Sequence, residues 1–389
     1  MFRSEKASYE IKKDIANGTY GLVFQCTQTP VRTRREPVSD DSHQVVVKVM
    51  ELKDKFDLKS INRELAFIKA IEKEKSQLFV KCLDTFSFTP IYTCLVFETL
   101  DITLMEYYTN SPVSLLKIRS IFYQMLKALQ VLKKIKFVHA DIKPQNVMLR
   151  KPREEDTEVT IKLIDFGFSC CTSAAMRGKR MITFKGVEPF DLNKIDANLY
   201  TNGYPSPEWL LNMANQELSD LWSTAVTIAE TVLCAPLYRH IYNFPRYSQL
   251  AAIWNFCRYT LPENAFFQRL NEDGRQFFTR EALRVDLSPP ILQSPPTNGR
   301  PWRIKKLWEM TSAYPITETD KRTFIREGKD WSSWAVNTVE EIKPKRGELS
   351  IANQDLLKKL QDLLKKIFII DPAKRITVNE ALRHSLFRA

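Results

Sequence analysis

Asp141, Lys143 and Asn146 fall within six positions, in the stretch His139-Ala-Asp-Ile-Lys-Pro-Gln-Asn-Val-Met-Leu149. A carboxylate can take up a proton, an ammonium can hold a phosphate oxygen, and an amide oxygen suits Mg²⁺. Together they meet the needs of phosphoryl transfer, where positioning and charge neutralisation supply most of the catalysis. An ordinary solvated loop contains the same residue types, so the rest of the chain has to decide.

Three other places carry chemistry. Lys48 ends the β-branched run Val45-Val46-Val47-Lys48, which reads as a buried strand. A buried ammonium is costly without a partner, and Glu64 on the following helical stretch can supply the charge. The competing reading is an edge-strand lysine facing water. Gly18 and Gly21 sit between β-formers, where a turn would let backbone amides approach a polyphosphate. Such turns are also common without a ligand. Asp165-Phe166-Gly167 follows an apolar stretch. A carboxylate at a strand end, then an aromatic and a glycine, suits a Mg²⁺ ligand on a hinge. An Asp-x-Gly turn is the plain alternative.

The elements that must hold these residues are legible as periodicities. Tyr9–Cys26, Val45–Met50 and two strands within Phe79–Glu98 make the first hundred residues mainly β, with the hydrophilic stretch Thr27–Gln44 read as a surface insertion. One helix interrupts them over Lys59–Glu74, with its apolar stripe at Ile61, Leu65, Ile68 and Ile71. After Leu100 the spacing is mostly helical, over Leu115–Lys136, Glu217–Leu233, Ser248–Cys257 and Asp355–Ile370. A hairpin, Val147–Arg150 with Val159–Ile164, brackets a charged turn, and Pro236–Ile351 is an irregular, Pro-rich insert.

Composition narrows the classes. With 389 residues and 44% hydrophobic content, the chain is globular and long enough for two lobes. No apolar run approaches the ~18–20 residues of a membrane span, and no signal peptide is visible. The seven cysteines (26, 82, 94, 170, 171, 234 and 257) are odd in number and lack metal spacing. The adjacent Cys170 and Cys171 read as exposed or half-buried free thiols, and the chain as an intracellular protein of cytoplasm or nucleus. The net charge of +12 raises the question of nucleic acid, but the basic clusters Arg32–Arg35, Arg177–Arg180 and Lys343–Arg346 are short and scattered. No membrane or nucleic-acid partner is expected; acidic protein substrates suit the charge.

In chain order, the glycine turn, Val45-Val46-Val47-Lys48, Glu64, His139-Ala140-Asp141 through Asn146, Asp165-Phe166-Gly167 and Ser206-Pro207-Glu208 resemble the eukaryotic protein kinase family. Asp220-Leu221-Trp222-Ser223 and Arg375 extend the resemblance over about Tyr9–Phe387. It implies an α+β bilobal fold: a small N-lobe of antiparallel sheet with one helix over 9–98, behind a short extension at 1–8, and a larger, mainly helical C-lobe over 99–389.

The resemblance also assigns roles. Lys48 would contact the α- and β-phosphates of ATP, held by Glu64, while Asp141 would take the substrate proton and Lys143 stabilise the γ-phosphate. Asn146 and Asp165 would bind Mg²⁺. Ile15, Gly18, Gly21, Val23, Val46 and Met148 would surround the nucleotide, with the backbone of Glu98 and Leu100 reading the adenine edge behind a gatekeeper at Phe97. Lys143 two after Asp141, and Thr201 seven before Glu208, resemble serine/threonine kinases. Glu208–Arg375 and Asp220 match structural positions.

The branch most similar holds the cyclin-dependent, mitogen-activated and dual-specificity Tyr-regulated kinases, and His139-Ala140-Asp141 resembles its homeodomain-interacting members. Departures stand at Ala16, where a glycine is usual, at Ala140, where an arginine is usual, and at Pro205, where the branch has arginine. Without an arginine at Ala140, activity is expected not to require phosphorylation of the segment 165–208, which Lys179, Arg180 and Lys185 could hold instead. The insert at 236–351 is a candidate docking surface for a regulatory partner. The alternatives are a catalytically silent scaffold and a basic nucleic-acid-binding module.

Overall fold

Val45, Val47 and Val49 turn to one side of their strand and Val46, Lys48 and Met50 to the other, as the period of two requires. The first set packs with Phe2, Ala7, Tyr9, Cys26, Cys94 and Val96 in a small core of its own. Met50 joins the main core instead, so the sheet carrying Lys48 is apolar on both faces. The computed structural model describes residues 1–18, 21–31, 42–52, 55–150, 159–171, 201–213, 218–238, 245–257, 262–280, 302–304, 338–344 and 350–388.

That sheet comprises β1 (Phe2–Arg3), β2 (Ala7–Gly18), β3 (Gly21–Pro30), β4 (His43–Glu51), β5 (Cys82–Thr89) and β6 (Tyr92–Glu98). They lie in the order β1-β2-β3-β4-β6-β5, and every pairing is antiparallel. Helix α1 (Lys55–Glu72) buries Ile61, Phe67, Ile68 and Ile71 in the main core.

The short stretch 1–8 does not hang free of the lobe: β1 pairs with β2, and Phe2 is buried against Phe24 and Phe88. Ser4, Lys6 and Tyr9 all bond the buried carboxylate of Asp84, which ties the chain's start to β5. Nor does the surface insertion begin at Thr27, since β3 and β4 stay paired through Thr27↔Gln44 and Gln28↔His43. Polar residues there occupy an exposed strand end, which hydropathy alone does not separate from a loop.

The lower part is built around two helices. Leu115–Ile135 starts at a Ser114 cap and ends at Lys136 in the left-handed conformation. Ser219–Leu233 is buried along its whole length. Pro245–Phe256, Ile351–Ile367 and Val378–Leu382 are further helices packed with them. A helix at Leu104–Asn110 has no strong periodicity in sequence; a capping box between Thr103 and Glu106 sets its start. Among the described residues, no helix is long and apolar enough to cross a membrane. The basic clusters at 32–35 and 177–180, Lys179, Arg180 and Lys185, and most of the 236–351 insert lie outside the described residues.

Candidate active site

The helix Leu115–Ile135 delivers the chain into a two-residue strand, Phe137–Val138, paired with Cys170–Cys171. The loop at 139–143 follows, and then a single 3₁₀ turn, Pro144–Asn146. Ala140 adopts φ 65°, a left-handed conformation unfavourable for a residue with a Cβ. Asp220 at the start of Ser219–Leu233 compensates. Its Oδ2 accepts from the His139 amide at 2.6 Å and its Oδ1 from the Ala140 amide at 2.9 Å. Burial pushes the Asp220 pKa up, while the facing His139 and these amides oppose that shift.

Within the loop, four of the expected residues converge. Thr201 Oγ1 donates to Asp141 Oδ1 at 2.6 Å and accepts from Lys143 Nζ at 2.8 Å. Lys143 also lies 2.8 Å from Asp141 Oδ2. Asn146 Nδ2 donates to the Asp141 carbonyl and to its Oδ2, each at 2.8 Å. The carboxylate of Asp141 is thereby fixed in orientation from three directions.

The second half of the site comes from the sheet. Lys48 Nζ lies 2.8 Å from Glu64 Oε2 and 2.9 Å from Asp165 Oδ1. Lys48 is only 9% exposed. Burial alone would lower its pKa, but Glu64 and then Asp165 outweigh burial, so the ammonium is held charged. For Asp165 burial raises the pKa, yet Lys48 outweighs it and the carboxyl stays below its ordinary range. Asp165 itself has φ 62°.

Phe166 explains how that conformation is held. Its ring is fully buried, stacked on Phe67 of α1 with centroids 4.3 Å apart, and edge-on to His139 at 5.5 Å. His139 accepts from the Asp141 amide at Nδ1 and contacts the Ile164 carbonyl at 3.1 Å through Nε2. Only the tautomer protonated at Nε2 satisfies both. A continuous aromatic contact thus runs from α1 to the loop that carries Asp141.

The residues expected around a nucleotide are more loosely grouped. Val23 pairs with Lys48, and Val46 with Phe97. Val46, Leu100 and Met148 are half-buried, Phe97 is buried and Ile15 is 51% exposed. Gly18 pairs with Gly21 across the turn, whose tip at 19–20 lies outside the described residues. Gly21 has a requirement beyond phosphate approach: at φ 143°, a Cβ there would stand 2.3 Å from the Val49 carbonyl oxygen. It lets β3 lie against β4.

Among the described residues, no three His, Cys, Asp or Glu side chains cluster as a metal cage. Mg²⁺ does not need one, being held by one or two protein oxygens together with phosphates and water. The Asp165 carboxylate and the Asn146 amide oxygen, whose nitrogen is engaged by Asp141, fit that pattern.

Several participants went unread in the sequence. Glu98 Oε1 receives Lys162 Nζ at 2.5 Å and the Lys81 amide at 2.8 Å, which ties the end of β6 to the strand Ile161–Leu163. Glu230 accepts from Tyr204 Oη at 2.7 Å and from the Leu237 amide at 2.9 Å. Burial pushes its pKa up to about 6. Glu208 and Arg375, by contrast, already matched in sequence, form a fully buried bidentate pair at 2.6 and 2.8 Å.

Cys170 differs from expectation, being buried rather than exposed or half-buried; Cys26, Cys94 and Cys257 are buried too. Cys170 is enclosed because its strand pairs with Val138 and packs with Val138, Trp209 and Ala140 in a small apolar cluster.

The family described as protein kinase domain matches residues 9–387. Homeodomain-interacting protein kinase 1 of Mus musculus is 27% identical over 383 residues, covering 97% of this chain and 27% of that protein. Its Caenorhabditis elegans counterpart is 26% identical, covering 96% of this chain and 39% of that protein. Homeodomain-interacting protein kinase 4 of Rattus norvegicus is 24% identical, covering 98% of this chain and 55% of that protein. The chain therefore spans from about a quarter to about half the length of these relatives. A crystal structure of a kinase domain, 21% identical, superposes with a TM-score of 0.64 over 98% of this chain and 95% of the other.

Proposed function

The chain belongs to the protein kinase domain family, and on that footing we propose that it transfers the γ-phosphate of ATP to serine or threonine hydroxyls of protein substrates. The observation that carries this reading is the set of Lys48, Glu64 and Asp165, joined at 2.8–3.0 Å, beside the set of Asp141, Lys143 and Thr201, joined at 2.6–2.8 Å. A scaffold that had abandoned catalysis would have no reason to keep a buried lysine between two carboxylates. Such a group is costly wherever it is not used.

Asp141 orients the incoming hydroxyl and accepts its proton, held for that task by Thr201 and Asn146. Lys143, already beside Asp141, places positive charge where the transferring group gains negative charge. Lys48 stays ionised, positioned by Glu64, to receive phosphate oxygens. Asp165 and Asn146 would hold Mg²⁺, and MgATP when bound supplies the phosphoryl group and neutralises its charge. Ile15, Val23, Val46 and Met148 would enclose the base, with Phe97 behind it and Glu98 and Leu100 at its edge. The net charge of +12 favours acidic protein substrates. The buried thiols suit a reducing, intracellular compartment.

Activity in this reading does not depend on phosphate in the segment 165–208. Ala140 offers no cation to such a phosphate, and its surroundings are the apolar side chains of Val138, Cys170 and Trp209. One experiment tests both parts: Mg²⁺, radiolabelled ATP and a peptide panel, with wild-type, phosphatase-treated wild-type and Asp141→Asn protein. Wild-type and treated protein should label serine or threonine peptides alike, while Asp141→Asn loses at least about a hundredfold. Equal labelling by the Asn variant would sink the catalytic assignment; silence of the treated protein alone would sink the independence from phosphate.

A further inference from the structure

Thr201 bonds both Asp141 and Lys143, so a hydroxyl presented to Asp141 arrives beside the residues that follow Thr201. Their backbone is tied down from outside. Ser223 Oγ donates to the Tyr204 carbonyl at 2.9 Å, Glu230 accepts from the Tyr204 hydroxyl, and Ser206 and Ser219 share a hydroxyl bond at 2.9 Å. All three ties come from the one helix Ser219–Leu233.

Gln249 is the exception. It sits on Pro245–Phe256 and is 0% exposed. Its Oε1 accepts from the Gly203 amide at 3.0 Å, and its Nε2 reaches the Pro205 carbonyl at 3.5 Å. Its helix neighbours Tyr247, Leu250 and Ile253 are buried and apolar. Packing alone would favour another apolar side chain there, because a buried amide without partners is unfavourable. Both polar ends of Gln249 are instead spent on the loop.

Gly203 points the same way. It has φ 100°, and a Cβ built there would meet nothing within 4 Å. Crowding therefore does not demand the glycine; backbone direction does, since few residues with a Cβ adopt that φ.

We propose that Gln249 is a positioning residue for the peptide substrate. It fixes the backbone of Gly203–Pro205, and through it Thr201, in the orientation that presents a serine or threonine hydroxyl to Asp141. The proposal rests on the kinase reading above. Gln249 bonds neither Lys48 nor Asp141, so its effect passes through the loop and leaves nucleotide binding alone.

Steady-state kinetics of the full chain, varying peptide and ATP separately, tests this. Gln249→Met keeps the volume and removes both bonds. Peptide kcat/KM should fall roughly ten- to a hundredfold, as expected when buried polar groups lose their partner, while the KM for ATP moves by less than about twofold. Gln249→Glu keeps an oxygen for the Gly203 amide and should recover most of the loss. Gly203→Ala should reproduce the loss with Gln249 intact. A Met variant with wild-type peptide kinetics, or a loss shared equally by the peptide and ATP constants, would overturn the proposal. If Gln249→Met does not fold, Gly203→Ala and Gln249→Glu carry the same peptide-against-ATP comparison. Wild-type protein that labels no peptide would overturn the kinase reading itself, and this proposal with it.

Discussion

Lys48 and Lys162 present one physical problem, an ammonium in a strand with little access to water, and each solves it with carboxylates brought from elsewhere. The argument that a lysine closing a β-branched run must find a partner leads from Lys48 to Glu64 in sequence alone. The same argument applies to Lys162, inside Val-Thr-Ile-Lys-Leu-Ile, but its partner Glu98 is 64 positions away and no local spacing points to it. Glu230 was less legible still, because nothing in an apolar helix shows that a tyrosine hydroxyl and a distant amide will converge on it. Its pKa has a consequence for stability. The carboxyl titrates near 6 in the folded chain against 4.5 as its ordinary value, so the native state binds that proton more tightly. The contribution is present below about pH 4.5 and is lost as pH rises through about 6, on the order of 2 kcal/mol in total. Glu230→Gln can still accept from the Leu237 amide and donate to the Tyr204 hydroxyl, and it cannot titrate. Thermal melts across pH 4–7 should therefore show wild type losing ground to the variant over that window; parallel curves would refute the assignment.

At the scale of elements, the long helices follow from their periodicity, since Leu115–Ile135 and Ile351–Ile367 each bury a regular apolar stripe. Short helices such as Leu104–Asn110, Asn264–Gln268 and Glu272–Arg275 do not. Helices that short are unstable alone, and they persist here through caps and tertiary packing that a linear pattern does not reveal. Phe2 and β1 escaped notice for a similar reason, because a two-residue strand has no period. What locks the elements together is charge as well as packing. Arg375 meets Glu208 with both side chains at 0% exposure, lies over Trp222 at 5.1 Å, and also donates to the Leu218 and Ile369 carbonyls. Glu208→Ala should lower stability by about 3–5 kcal/mol, since it strands a buried cation. Replacing both residues with methionine should recover part of that but not all, because two carbonyls lose their donor. Denaturant titrations would detect the difference; a double variant weaker than Glu208→Ala would contradict this account.

Across the whole molecule, the order of motifs was legible because each sits on the element its chemistry needs, and that order spans both lobes. The closure of the site was not, for it depends on Phe67, Phe166 and His139 meeting across three separate segments. A site already closed in this way should bind its nucleotide at little conformational cost. Nucleotide with Mg²⁺ at roughly a hundredfold excess over Kd should add about 2.7 kcal/mol to stability and raise the Tm by several degrees. EDTA should remove most of the shift, and Asp165→Asn should make it indifferent to the metal. An equal shift in EDTA would exclude Asp165 as a metal ligand. The contact of Val138, Ala140, Cys170 and Trp209 has a different consequence for the whole protein. A contact made through ion pairs loosens as salt rises, whereas an apolar one is not screened by salt and weakens in the cold. The contact at Cys170, unlike the ion pairs of Asp165 and Glu208, should thus answer to the thermometer rather than to the conductivity meter.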